Sequence, residues 1–218
     1  MLVRDIMTKD VVTVSPDTHL IEVKKLFDDR KLKRIPVVDK GKLVGMVTGK
    51  RVEKLITPEL VGSRNFWDYA YSLGATMRTP VREVMEKDVV TARPNWTVEE
   101  ALALAQSRKV GALAVVEENN KLVGIVTTND FFYRIVNPVL GIGMPGHRIW
   151  IEDGGEARAL EEIIGTINKM CVDIVTLHII IPPAHEKKDL VIHVNCDKPD
   201  DLMNELKKKG YEVDIRRR

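Results

Sequence analysis

Cysteine is nearly absent from this chain. The only two, Cys171 and Cys196, have no CxxC spacing, which excludes a disulfide framework and a cysteine-built zinc cluster. Charge of one sign is lacking too. Lys and Arg number 34 against 32 Asp and Glu, a formal net charge of +2, so no strong field gathers nucleic acid. No run approaches the roughly 20 apolar residues of a membrane span. The opening "MLVRDIMTKD" carries charge at Arg4 and Asp5 where a signal peptide has an apolar core. The expectation is a cytoplasmic protein. No Ser-His-Asp order, metal-ligand run or P-loop is found, so a binding protein is favoured over an enzyme.

What is present is a repeat. "RDIMTKDVVTVSP" (4–16) matches "REVMEKDVVTARP" (82–94), and "KLVGMVT" (42–48) matches "KLVGIVT" (121–127). The offset grows by one residue between the two pairs, which places an insertion in the turn "EENN" (117–120). Two long copies indicate a duplicated module rather than a solenoid. Each copy begins with a short β-branched strand, "DVVTV" (10–14) or "DVVTA" (88–92), followed by Pro16 or Pro94. A helix with Leu20, Val23, Leu26 and Phe27 on one face follows in the first copy; Val98, Ala101, Leu102 and Ala105 play that part in the second. Continuous apolar strands come next, "IPVV" (35–38) and "ALAVV" (112–116), with the unbroken hydrophobicity typical of parallel sheets. The order β-α-β-β-α, twice, makes an α/β module.

The copies differ at one place. The second hairpin ends in "VTTND" and the first in "VTGKR", so Asp130 stands where the first copy has Arg51, while Thr127 and Thr48 agree. Two readings of Thr127-x-x-Asp130 are open. One is a capping box at a helix start. In the other, the free N–H groups of that first turn meet a phosphate while the carboxylate accepts from ribose hydroxyls. Arg51 cannot accept a hydrogen bond.

The strand order, the "IPVVD…GKLVGMVT" hairpin and the T-x-x-D helix start resemble a tandem pair of CBS domains over roughly residues 1–136. The resemblance implies a pseudo-two-fold pair with two clefts and an adenosine-containing ligand: AMP, ADP, ATP or S-adenosylmethionine. By position, Thr127 would contact phosphate and Asp130 ribose. The other copy would supply Thr18, Val23, Lys33, Arg34, Ile35 and Pro36, with the base near Ile35 and Pro36. Thr48 and Arg51 would mark a degenerate second site. A solvated basic turn is the alternative for Lys33 and Arg34.

The expected divisions are CBS domain 1 (1–56), a linker helix (57–80), CBS domain 2 (81–137), a linker (138–146) and a last domain (147–218). Phe66, Trp67, Tyr69 and Tyr71 crowd the first linker of a chain that is only 5% aromatic. That helix is expected to pack on the pair or on a second subunit, or else to form a lid. The last domain reads β-α-β-β-α-β, the ferredoxin-like split unit, and resembles an ACT domain. Its turn "EDGGEARAL" has Gly154 where such domains carry proline, and the two glycines are read as turn residues. His178 and His193 are expected on the sheet face opposite Val175, Leu177, Ile179 and Ile181. The fold class is therefore α/β (α+β), a CBS pair with a ferredoxin-like, ACT-like domain, similar to acetoin-utilisation-type CBS proteins. A regulatory homodimer that senses an adenosine ligand is expected, with no metal, membrane or nucleic-acid partner. A structural dimerisation module with empty clefts is the alternative.

Overall fold

The computed structural model describes residues 1–56, 74–183 and 186–216. The aromatic cluster of the first linker lies outside the described residues. The chain forms two compact units, Met1–Phe132 and Tyr133–Arg218.

The first unit holds both copies. Copy one contains α1 (Val3–Ile6), α2 (Leu20–Arg30), β1 (Arg34–Asp39), β2 (Lys42–Thr48) and α3 (Gly49–Ile56). Copy two contains β3 (Thr91–Ala92), α4 (Val98–Ser107), β4 (Ala112–Val116), β5 (Leu122–Thr127) and α5 (Thr128–Phe131). Both hairpins are antiparallel, with the same register shift after Val37 and after Val115. The β1–β2 turn has positive φ at Lys40 and Gly41, as a two-residue type I′ turn requires. Copy two spends three residues there, Glu118–Asn120, with Asn119 and Asn120 in the left-handed region. The inserted residue is thus in the hairpin turn.

Two sequence expectations change. The segment at 10–14 contributes only a parallel bridge, Val14 to Val37, and the segment at 88–92 only β3, parallel to β4. β4 is buried at all five positions although its longer pairing is antiparallel. The reason is a second layer: Ala114 and Val116 pack with Leu43 and Met46 of the other hairpin.

The two copies exchange their leading segments. Val3 N–H donates to Trp96 O at 2.9 Å, and Val81 N–H to Thr18 O at 2.9 Å. Thr8 and Ile125 trade both backbone bonds, as do Glu86 and Met46. Val81 and Val84, in the leading segment of copy two, are buried in the core of copy one with Leu20, Val23 and Ile35. A glycine makes room at each crossing. A Cβ on Gly45 would lie 2.5 Å from Met85 Sδ, and one on Gly124 would lie 2.6 Å from Met7 Sδ.

The second unit contains β6 (His147–Ile151), α6 (Ala157–Lys169), β7 (Asp173–Ile180), β8 (Asp189–Asn195), α7 (Pro199–Lys208) and β9 (Val213–Arg216). The antiparallel sheet runs β7-β8-β6-β9, the ferredoxin-like order. Ile149, Ile151, Leu190 and Ile192 meet Ile163, Ile167, Leu202 and Leu206 of the helices. A shift between Ile174 and Thr176 breaks the expected alternation of β7. Ile174 and Leu177 join the core, and Ile181 lies past the strand end, 65% exposed. His193 faces away from the helices and is only 3% exposed. The Pro- and Gly-rich segment expected as a linker covers it: Nε2 is 3.0 Å from Pro145 O, and Cβ atoms on Gly141 or Gly146 would strike the ring. Both glycines have positive φ.

A free cysteine is most often a small buried residue, and neither of the two here is one. Cys171 is exposed in the left-handed turn after α6. Cys196 is partly buried, and burial pushes its thiol pKa up.

Gly45→Ala should destabilise the fold by about 1–3 kcal/mol through overpacking. In Gly45→Ala/Met85→Ala the loss should be smaller than the sum of the single losses, by about 0.5 kcal/mol or more. Urea denaturation of the four proteins measures the coupling; strict additivity would exclude the crossing contact.

Candidate functional site

β5 ends at Thr127, whose extended backbone makes it the N-cap of α5. Asp130, three residues on, closes a reciprocal capping box. Thr127 N–H donates to Asp130 Oδ2 at 2.8 Å, its hydroxyl donates to the same oxygen at 2.7 Å, and Asp130 N–H returns to Thr127 Oγ1 at 3.4 Å. The first copy keeps half of this. Arg51 N–H donates to Thr48 Oγ1 at 3.4 Å, and no carboxylate answers.

The capping residues also border a cleft of about 310 Å³. Copy two supplies Gly111, Ile125 and Thr127 to Asp130; copy one supplies Lys31, Leu32, Lys33 and Arg34. The exchanged leading segment adds Thr8, Asp10, Val11 and Val12. Thr127, Asp130, Lys33 and Arg34, far apart in sequence, are therefore neighbours around one cavity. Apolar surface comes from Val11, Val12, Leu32 and Ile125, with cations on one copy and the Asp130 carboxylate on the other.

Four expected residues lie outside the cleft lining. Val23 and Ile35 are fully buried in the core of copy one, so neither has surface to offer a ligand. Pro36 is buried in β1, where its carbonyl accepts from Val14 N–H at 3.2 Å. Thr18 Oγ1 accepts from Ser15 N–H at 3.1 Å, and Thr18 O serves the segment exchange. Ile35 and Pro36 therefore give the cleft no apolar surface; Val11, Val12, Leu32 and Ile125 line it instead. The expected phosphate cradle is also partly taken. Thr128 N–H already donates to Gly111 O at 3.2 Å and Asp130 N–H to Thr127 Oγ1, within a helix of four residues.

Sequence reasoning missed Asp10, Val11 and Val12. The repeated "KDVVT" singled out their segment, but nothing local says that it crosses to the other copy's hairpin. Elsewhere, no group of three or more His, Cys, Asp and Glu among the described residues stands close enough to hold a metal ion. No helix among them is long and apolar enough to cross a membrane.

The family model for the CBS domain matches residues 3–57 and 81–137, just over half of the chain. The chain belongs to the CBS domain family. It is 34% identical over 128 residues to the CBS domain-containing protein YhcV of Bacillus subtilis, covering 59% of this chain and 81% of that one. It is 32% identical over 155 residues to the uncharacterized protein MJ1426 of Methanocaldococcus jannaschii, covering 62% of this chain and 92% of that one. Among solved structures, a Vibrio cholerae protein named for acetoin utilization (AcuB) is similar with a TM-score of 0.53 and 27% identity, over 66% of this chain and 98% of that chain. The CBS pair thus accounts for the duplication and for both hairpins.

Completing the half-formed box should strengthen the first copy. Arg51→Asp removes a cation from a helix N-terminus and supplies the missing acceptor, which should raise stability by about 0.5–1 kcal/mol. Asp130→Ala should lower it by about 1 kcal/mol. Urea midpoints of the two variants test the pair of signs.

Proposed function

We propose that this CBS protein is a regulatory sensor that binds one adenosine-containing nucleotide per chain in the cleft bordered by Thr127, Asp130, Lys33 and Arg34. The observation that carries the reading is the meeting of two half-sites. The carboxylate of T-x-x-D exists only in copy two, and the adjacent basic pair only in copy one. The exchanged fold brings both to the same cavity. A carboxylate suits vicinal hydroxyls, the apolar lining suits a base, and the cations suit an anion. In this reading Thr48 and Arg51 mark the weaker cleft, and the ferredoxin-like unit, in the role of an ACT-like domain, is the responding module.

A second reading, a dimerisation module whose cleft stays empty, draws on the capping box, which by itself accounts for Thr127 and Asp130. Titration separates the two. Isothermal calorimetry with AMP, ADP, ATP and S-adenosylmethionine should find about one strong site per chain. At a hundred-fold excess over Kd, the ligand should add about 2.7 kcal/mol of stability. Asp130→Ala should weaken binding at least ten-fold, since hydrogen bonds to a charged group contribute roughly 1.5–3 kcal/mol each. Unchanged affinity in folded Asp130→Ala would favour the capping reading.

The proposed assembly is a homodimer, and the β7 edge is one surface for it. Ile179 and Ile180 at the end of β7, and Ile181 just past it, are 44%, 42% and 65% exposed, and β7 is the outer strand of the sheet with no further strand paired to it among the described residues. An unblocked apolar edge invites a second strand, and an antiparallel pair with its own copy is self-complementary. Light scattering should report a dimer at micromolar concentration, and Ile180→Lys should shift it toward monomer. A wild-type monomer would exclude the assembly, and a dimeric Ile180→Lys would move the contact elsewhere.

A further inference from the structure

We infer that the open face of the ferredoxin-like sheet carries a separate ligand site. It takes a monocarboxylate with a flat apolar body, the carboxylate on Arg148 and the body against Trp150. The site lies wholly within the second unit and is independent of the nucleotide reading above.

Alternation along the strands builds this face. Ile149, Ile151, Leu190 and Ile192 turn to the helices, so Arg148, Trp150 and Val191 turn away. Trp150 pairs with Val191, and Ile180 lies opposite Asp189, two residues before Val191. Ile180 therefore shares the face. The segment through Gly141 and Gly146 covers it at His193. Elsewhere the face sinks into a hollow of about 650 Å³, bordered by Arg148, Trp150 and Val191 and by the run from Ile180 to Pro183. That volume is in the range of small-molecule sites. Pro182 and Pro183 fix φ in one wall, so little order has to be imposed when a ligand enters.

Charge selects the ligand. Arg148 is half-buried, its neighbours in the lining are all apolar or aromatic, and no ion pair among the described residues uses it. A guanidinium so placed matches the two oxygens of a carboxylate, and low-dielectric walls strengthen the pair. The lining holds no carboxylate, so an ammonium finds no partner in it. Trp150 also borders a smaller hollow of about 190 Å³ with Glu152, Glu212 and Asp214. Those carboxylates repel an anionic head, which orients the ligand toward Arg148. The indole supplies a flat wall on which a planar body stacks. Pairing of two copies along the β7 edge would extend the sheet without covering this face.

Calorimetry on the full chain with naphthoate, naphthylmethanol and naphthylmethylammonium tests this. The three probes share one apolar body and differ in charge. Naphthoate should bind about ten-fold or more tighter than the alcohol, as a charged hydrogen-bonded pair implies, and the ammonium should bind weakest. In Arg148→Gln the naphthoate-to-alcohol ratio should fall toward one while the alcohol's affinity changes little. Trp150→Leu should weaken both and leave the ratio in place. Each ratio is read within one variant, so small stability losses do not disturb it. No naphthoate binding by the folded wild type at millimolar concentration, or a ratio that survives Arg148→Gln, overturns the inference. Dissociation of a dimer by naphthoate, seen in light scattering, identifies a second copy as the occupant of the hollow and overturns it as well. None of these results bears on the nucleotide cleft, which is tested by the titrations with adenine nucleotides.

Discussion

The exchange of leading segments is the contact on which the first unit depends. Val3 and Val81 lie on opposite copies' helix starts, and each is fully buried. Burying a valine contributes roughly 1.5–3 kcal/mol, and the backbone bonds alongside tie the segment in register. Because Val81 and Val84 complete the core of copy one, that copy lacks part of its interior until the second is made. The exchange joins two small modules, each of a size at which a core alone is marginal, into one body.

That exchange also makes the cleft. A leading segment kept with its own copy would leave Asp10, Val11 and Val12 on the wrong hairpin. Crossing over, they wall the space between the start of β1 and the end of β5. The two-fold relation of the backbones would predict two equal clefts. Side chains break the equality. Arg51 replaces Asp130 in one direction, and Gly111 and Ala112 replace Lys33 and Arg34 in the other. Both substitutions spare the framework, since the hairpins share pairing and bulge.

In the C-terminal unit, glycine decides where a connecting segment can go. His193 would face solvent on the uncovered side of the sheet. Gly141 and Gly146 let the preceding segment close over its ring, where any Cβ would collide. A composition typical of a flexible connection therefore serves close packing instead. At the β6–α6 turn, a Cβ on Gly154 would strike Ile151 and Ile163, so the "EDGG" run also serves packing.

Sequence alone determined the duplication, the order of elements, the faces of α2 and α4, the inserted turn residue and the ferredoxin-like plan of the last domain. These follow from local periodicity and turn chemistry, which act over a few residues. It also singled out Thr127 and Asp130, because the two copies serve as each other's reference. Only the tertiary structure decided that Val23 and Ile35 are core, that β7 carries a bulge, that the leading segments cross, and that Asp10 shares a cavity with Asp130. Each of these depends on contacts between residues distant in sequence. A hydrophobic residue in a repeat carries no mark of whether its partner is its own copy or the other.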